Sequence, residues 1–392
     1  MPTENKDRRL RILFNSNAPY TTSGYAVQMG LLLPLLKDDG WIQAMINFYG
    51  LEGGSIDLNG IKMYPKIGDV WGSDAMRSHA LDFKADVVIS LQDIWTLDFN
   101  NLANIKRWIA WVPIDMQPVP QAIYDRLKLC YRIITCSKFG QKELEKKGMY
   151  STYIPFTVDT EIFKPMDKMQ ARKDFNIPQD IFLFGMVGAN KDNPPRKSFQ
   201  EAMEAFKMFH DKHPQSGLFF HTLLWQTGGF PIADYAKFLG IEKAIYHLDW
   251  YEEMFKIDRP ALVKIINCFD VLLSPSRNEG FGVPIIEAQS CSVVPIVSNF
   301  SAMPELIIPE VTGELCEIIY KPFTPLNSYT SQPDVKSLYD KMEKLFIADR
   351  VKMGEAGRKY ILENYDSKKV TKEKWLPFLE RVQDEIYNNP IT

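Results

Sequence analysis

The feature that most limits the fold of this chain is a rhythm that runs, breaks and restarts. Short apolar runs alternate with helical stretches, as in a parallel sheet wrapped by helices. In the first half, strands are expected at Arg11–Asn15, Ala44–Phe48, Ala85–Leu91, Trp108–Val112 and Arg132–Cys136, with helices at Tyr25–Leu36 and Lys138–Lys147. Tyr153–Pro155 reads as a closing strand and Thr157–Met166, containing Pro165, as a linker. The rhythm then resumes. Strands are expected at Ile181–Val187, Leu218–Leu224, Val271–Ser274 and Val294–Ser298, and helices at Ser198–His210, Arg259–Cys268 and Pro284–Cys291. The tail, Lys372–Tyr387, is amphipathic. A chain of 392 residues exceeds the size at which single cores stop growing, roughly 250–300 residues. The expected organisation is therefore an α/β protein of two parallel-sheet domains, 1–165 and 166–365, followed by a helical segment, 366–392.

In open parallel sheets, ligands sit beyond the carboxyl ends of the strands. The chemistry is therefore sought just after each strand. Ser274 to Glu287 follows one of them and reads Ser-Pro-Ser-Arg-Asn-Glu-Gly-Phe-Gly-Val-Pro-Ile-Ile-Glu. Gly280 and Gly282 allow close backbone approach to a ligand. Pro284 suits a first helical position. Amides at that helix start favour an anion such as a diphosphate. Glu279 and Glu287 would repel that anion, so they make sense as acceptors of hydroxyl hydrogen bonds, from a ribose and a sugar. A loop glutamate plus a helix glutamate beside a helix dipole is the plainer alternative.

After the strand ending at Val187 comes Gly188-Ala-Asn-Lys-Asp-Asn-Pro-Pro-Arg-Lys-Ser198. Arg196 offers a fork and Lys197 a point charge. Together they would stabilise the charge that grows on a departing diphosphate; a solvated surface pair is the alternative. Earlier, Asn17-Ala-Pro-Tyr-Thr-Thr-Ser-Gly-Tyr25 follows the first strand. There the Gly24 amide, with Ser23, would face a phosphate or simply cap the helix.

The run from Glu279 to Glu287, continued through Ala288–Ser298, resembles the E-x7-E signature of glycosyltransferase family 4. The resemblance implies the GT-B fold, in which two Rossmann-like parallel-sheet domains face each other across a cleft, and a final helix that returns to the first domain. It also implies sugar transfer from a nucleotide-diphosphate-sugar to an acceptor hydroxyl with retention of configuration. On this likeness Glu279 binds donor sugar hydroxyls, Glu287 binds ribose, and Arg196 and Lys197 hold the phosphates. Gly280, Phe281 and Gly282 line the donor, as do Ser23 and Gly24. Relatives carry an arginine shortly after the glycine at 188, where this chain offers Lys191. They also carry a histidine where this chain has Asp115, in Trp111–Pro120. Asp115 would orient a donor hydroxyl or take the acceptor proton, unless it caps the turn before Pro118. Trp250 and Tyr251 are placed to flank the base or to pack in the core.

No Asp-x-Asp motif occurs, and no histidine or cysteine pair has metal-ligand spacing. A metal-independent reaction is expected, with no cofactor beyond a UDP- or GDP-sugar as co-substrate. The partner is an acceptor glycan, lipid or other hydroxyl. The net charge of −3 argues against nucleic acid, though a modified DNA base stays on the list of acceptors. The polar stretch Met1–Arg9 does not read as a signal peptide, and no run is long enough to span a bilayer. A cytoplasmic protein with room for peripheral membrane contact is expected. Two other readings remain: a nucleotide-sugar binding protein without turnover, and a GT-B epimerase or phosphorylase.

Overall fold

A computed structural model describes residues 9–388 of the chain. The N-terminal stretch 1–8 and the end of the tail, 389–392, lie outside the described residues.

The chain divides into two compact units. The first contains the described residues up to Ile114, then Pro118–Thr157 and the segment from Ser367; the second contains Asp115–Gln117 and Val158–Asp366. The chain leaves the first unit at Thr157 and returns to it at Ser367. Local bonding explains both crossings. The Thr157 backbone is held from both sides by the buried Gln28 carboxamide, at 2.7 and 2.9 Å. The next residue, Val158, donates to Tyr365 O and bridges Asp366 in parallel.

The first unit is built on an eight-stranded sheet in the order β3-β4-β2-β1-β5-β6-β7-β8. Its strands are β1 (Arg11–Asn17), β2 (Ile42–Tyr49), β3 (Ile56–Leu58), β4 (Ile61–Pro65), β5 (Val87–Leu91), β6 (Trp108–Val112), β7 (Arg132–Thr135) and β8 (Thr152–Tyr153). All neighbours pair in parallel except β3 and β4. That hairpin, absent from the sequence reading, turns on Asn59-Gly60, both at positive φ, the favoured residues for such a turn. Leu13, Ala44, Val88, Trp108 and Ala110 form the core of one sheet face, at most 3% exposed. The tail helix Leu376–Asn388 belongs to this unit, and the preceding Trp375 packs edge-on against Trp111 at 4.7 Å.

The second unit carries a six-stranded parallel sheet in the order β11-β10-β9-β12-β13-β14. Its strands are β9 (Phe182–Val187), β10 (Ser216–His221), β11 (Ile245–His247), β12 (Val271–Ser274), β13 (Val294–Ser298) and β14 (Glu314–Cys316). A phenylalanine-rich face of β9 and β10 packs against the helix Phe199–Lys212 through Phe184, Phe206, Phe209 and Phe220, all fully buried. A short antiparallel hairpin, β15 (Ile318–Tyr320) with β16 (Gln332–Pro333), completes the unit. Among the described residues, no helix is long and apolar enough to cross a membrane.

Candidate active site

Two strand-to-helix loops of the second unit meet at Glu279. The first leaves β9 at Val187. A Cβ on Gly188 would lie 3.1 Å from Lys197 Cε, so a larger residue there would press on the stem of Lys197 where it runs past the strand end. The second loop leaves β12 at Ser274. The Arg277 amide donates to Arg196 O at 2.8 Å, which joins the two loops by their backbones.

The side chains then converge. Lys197 Nζ lies 2.5 Å from Glu279 Oε1 and Arg196 Nη1 lies 3.0 Å from Oε2, so each cation takes one carboxylate oxygen. Arg196 also donates to the Asn278 carbonyl at 2.9 Å. The Glu279 amide donates to Ser301 Oγ at 3.0 Å. The Asn278 side-chain amide donates to Asp115, which clusters with this unit. Burial would raise the Glu279 carboxyl, but Arg196 and Lys197 outweigh it and hold the group at about 2. Burial pushes the Lys197 ammonium below its ordinary value, with Glu279 opposing. The neighbouring Glu279 charge lifts the Arg196 guanidinium above its own.

Glu287 sits in a different environment. Gly282, at φ +114°, starts the helix Val283–Ser290; a Cβ there would come within 2.8 Å of Ile285 Cδ1 and would be strained in any case. The Glu287 side chain, one turn in, is 5% exposed, and Arg259 Nη2 stands 3.8 Å from it. That separation is too long for a direct hydrogen bond. Nearby, His221 Nδ1 lies 2.9 Å from Glu253 Oε1. Arg259 Nε and Nη2 are buried without a hydrogen-bond partner among the described residues. Burial raises the Glu287 carboxyl to about 7, against the opposing charges of Arg259 and His221.

This has a consequence for stability. A carboxyl raised from 4.5 to about 7 binds its proton more tightly in the folded chain than in the unfolded one. Its stabilising contribution is complete below the lower value and is lost as pH rises through the upper one. The ligand-free protein should therefore lose on the order of 3 kcal/mol between pH 5 and pH 8 through this group, and Glu287→Gln should remove that slope. Urea unfolding of both proteins across this range checks it; parallel profiles would refute it.

Several of the residues singled out in the sequence stand elsewhere. Lys191 is exposed on its loop and takes no part in the ion-paired cluster. The cause is Asn190, whose buried side chain bonds Leu223 O and Phe230 O and turns the following residue outward. Phe281 offers no side-chain surface to a ligand: its ring is 2% exposed and packs edge-on against Tyr365 at 5.7 Å. Gly280, between Glu279 and Phe281, is partly buried. In the first unit, Ser23 is the N-cap of the helix Gly24–Asp38, accepting from the Ala26 amide at 3.1 Å. Trp250 and Tyr251 are 66% and 51% exposed, which rules out core packing. Sequence reasoning gave no role to Asn278 or Arg259. Arg259 comes from a distant segment whose convergence no local pattern signals.

Residues 167–318 match the family model described as glycosyl transferases group 1. This segment holds the whole Arg196–Lys197–Glu279 cluster and Glu287. Among curated proteins, the chain is 26% identical over 167 residues to the D-inositol 3-phosphate glycosyltransferase of Saccharomonospora viridis, covering 40% of this chain and 36% of that one. The chain thus spans about a third of the length of the first curated relatives it matches. Among solved structures, it is similar to sucrose-phosphate synthase from Thermosynechococcus elongatus, with a TM-score of 0.76 and 16% identity over 96% of this chain and 100% of that one. It is also similar to Anabaena HepE in complex with UDP-glucose, with a TM-score of 0.70 and 12% identity over 95% and 100%.

The fold is therefore the two-domain, Rossmann-like GT-B architecture. Within it, the second unit is similar to the group 1 glycosyl transferases over nearly its whole sheet.

Proposed function

We propose that this chain is a retaining, metal-independent glycosyltransferase of the family 4 type, taking a hexose from a nucleoside diphosphate sugar and passing it to an acceptor hydroxyl. The observation that carries the reading is the single buried carboxylate of Glu279 gripped by both Arg196 and Lys197 at the carboxyl ends of two parallel strands. A diphosphate competes with Glu279 for these two cations, and as they turn to it the carboxylate is released to accept bonds from sugar hydroxyls. While both cations flank it, Glu279 is held ionised, its carboxyl at about 2. As the glycosidic bond breaks, negative charge grows on the leaving phosphate and the two cations are already in place to receive it. Glu287, buried with Arg259 at 3.8 Å, is the acceptor for the ribose diol.

Asp115 accepts from the side chain of Asn278, the residue before Glu279. It orients a donor hydroxyl rather than acting as the strong base that attack from the opposite face requires. The acceptor attacks on the face the phosphate leaves, and its proton passes to the departing phosphate oxygen.

A thermal-shift screen across UDP-, GDP-, ADP- and TDP-sugars tests the reading. UDP-glucose is the first candidate, since a protein of the same fold is described in complex with it. A donor at 100 times its Kd should stabilise the chain by about 2.7 kcal/mol. Glu279→Ala should abolish that gain, and the product should keep the donor's anomeric configuration by proton NMR. A chain indifferent to all four donors, or one that yields an inverted product, would sink the proposal.

A further inference from the structure

The second unit accounts for the donor; the acceptor depends on the first. At the carboxyl ends of β1, β2, β4 and β5, aromatic side chains stand partly exposed: Tyr49 as the last residue of β2, and Tyr20, Trp71 and Trp95 in the segments that follow β1, β4 and β5. Their loops are tied to one another. Tyr20 Oη donates to Gly50 O at 2.8 Å, joining the loop after β1 to the end of β2. Asn15, on β1, donates to Trp71 O at 3.4 Å, and the loop after β4 comes so close that a Cβ on Gly72 would lie 3.1 Å from Asn15 Oδ1.

At the ends of β1 and β5 lie buried carboxamides with unused bonding capacity. Asn15 pairs with Ser90 across β1 and β5, and Asn17 and Gln92 stand two residues further along the two chains. Asn15, Asn17 and Gln92 are 0%, 9% and 1% exposed. Asn15 Oδ1, Asn17 Oδ1 and both amide atoms of Gln92 lack a hydrogen-bond partner among the described residues. Burying such groups unpaired is costly, and for Gln92 the cost stands whichever way its amide is turned.

Charge narrows the choice of ligand. The segments following these four strands carry Glu52, Asp69, Asp74, Asp93 and Asp98 against one cation, Lys66. Lys66 Nζ is itself 3.1 Å from Glu52. An anionic headgroup, a phosphorylated sugar or a nucleic acid would meet mostly carboxylates here. A neutral saccharide meets what it needs. The apolar C–H face of a pyranose lies on aromatic rings. Its hydroxyls both donate and accept, as carboxamides do.

We infer that the acceptor is a neutral saccharide, bound at the carboxyl edge of the first unit's sheet by Gln92, Asn17 and Asn15 with Trp71 and Tyr20 as stacking surfaces. The inference rests on the sugar-transfer reading above. Bound hydroxyls supply the partners that Gln92 lacks.

Saturation-transfer NMR on the full chain tests this, run with saturating UDP so that the donor site is filled. The probes are methyl α-glucoside, maltose, glucose 6-phosphate, a single-stranded oligonucleotide and phosphatidylglycerol vesicles. The neutral sugars should bind, and Trp71→Ala and Gln92→Leu should each weaken them about tenfold, the loss of one good contact. Gln92→Leu should also keep or raise the melting temperature, because it removes an unpaired buried amide. A purely structural glutamine would move the melting temperature and leave sugar affinity unchanged, which would overturn the inference. Preference for the phosphorylated sugar, the oligonucleotide or the vesicles would overturn it too. If no saccharide binds while UDP still does, this inference fails and the donor reading stands; if UDP itself does not bind, the donor reading fails.

Discussion

Lys197→Ala is expected to lower the kcat of sugar transfer by about 10²–10³-fold, the usual cost of removing one preorganised group aimed at developing negative charge. The Lys197 side chain is only 15% exposed and its ammonium lies 2.5 Å from Glu279, in a site where burial strengthens every charge interaction. Charge on the leaving phosphate is greater in the transition state than in the bound donor, so the loss should fall on kcat more than on donor affinity. Arg196 is 41% exposed and bonds the Asn278 carbonyl as well, so Arg196→Ala should cost less. Steady-state kinetics of both variants decides the matter. Equal losses in kcat/KM with kcat unchanged would place both cations in ground-state binding alone and refute the role given to Lys197.

The largest effect on stability is expected far from the chemistry. Arg172 is 4% exposed and donates to four carbonyl or carboxylate groups: Cys268 O at 3.0 Å, Gln179 O at 3.1 Å, Ile181 O at 2.9 Å and Asp270 Oδ2 at 2.7 Å. Asp270 in turn accepts from the Leu183 amide on β9 and from Lys168. This one guanidinium therefore ties the entry of β9 to the turn before β12. Removing Arg172 leaves three carbonyls without their donor and Asp270 with Lys168 as its remaining cation, which should cost about 3 kcal/mol, the low end for breaking a buried pair. Arg172→Ala should lower the urea midpoint accordingly. Replacing both partners with apolar residues, as in Arg172→Met with Asp270→Leu, should recover part of the loss. A single variant within about 1 kcal/mol of the parent would mean that the site relaxes, and would remove Arg172 from the account.

What could be read from the sequence follows from how local each signal is. Strands such as Trp108–Val112 and Val294–Ser298 are buried on both faces, so they appear as continuous apolar runs. The strand, glycine loop and proline-started helix at 271–290 is a local unit and was legible for the same reason. The hairpin at 56–65 was not, because Ile56 and Asp57 are exposed and the strands are short; its Asn59-Gly60 turn was the available signal. The helices Val335–Ile347 and Arg350–Asn364 were also missed, although Asp334 and Asp349 cap them in plain sequence view. At the site, the residue types were readable but their pairing was not. That Glu279 occupies both cations depends on residues about eighty positions apart. That Lys191 faces outward depends on Asn190 reaching across to Phe230.

The chain's passage out of the first unit at Thr157 and back at Ser367 bears on how the protein is made. During synthesis the second unit is complete as soon as Asp366 has emerged, whereas the first still lacks the segment that brings Trp375 against Trp111. The first unit must therefore wait, with Phe156 but not yet Trp375 against that indole, until the segment from Ser367 has been made.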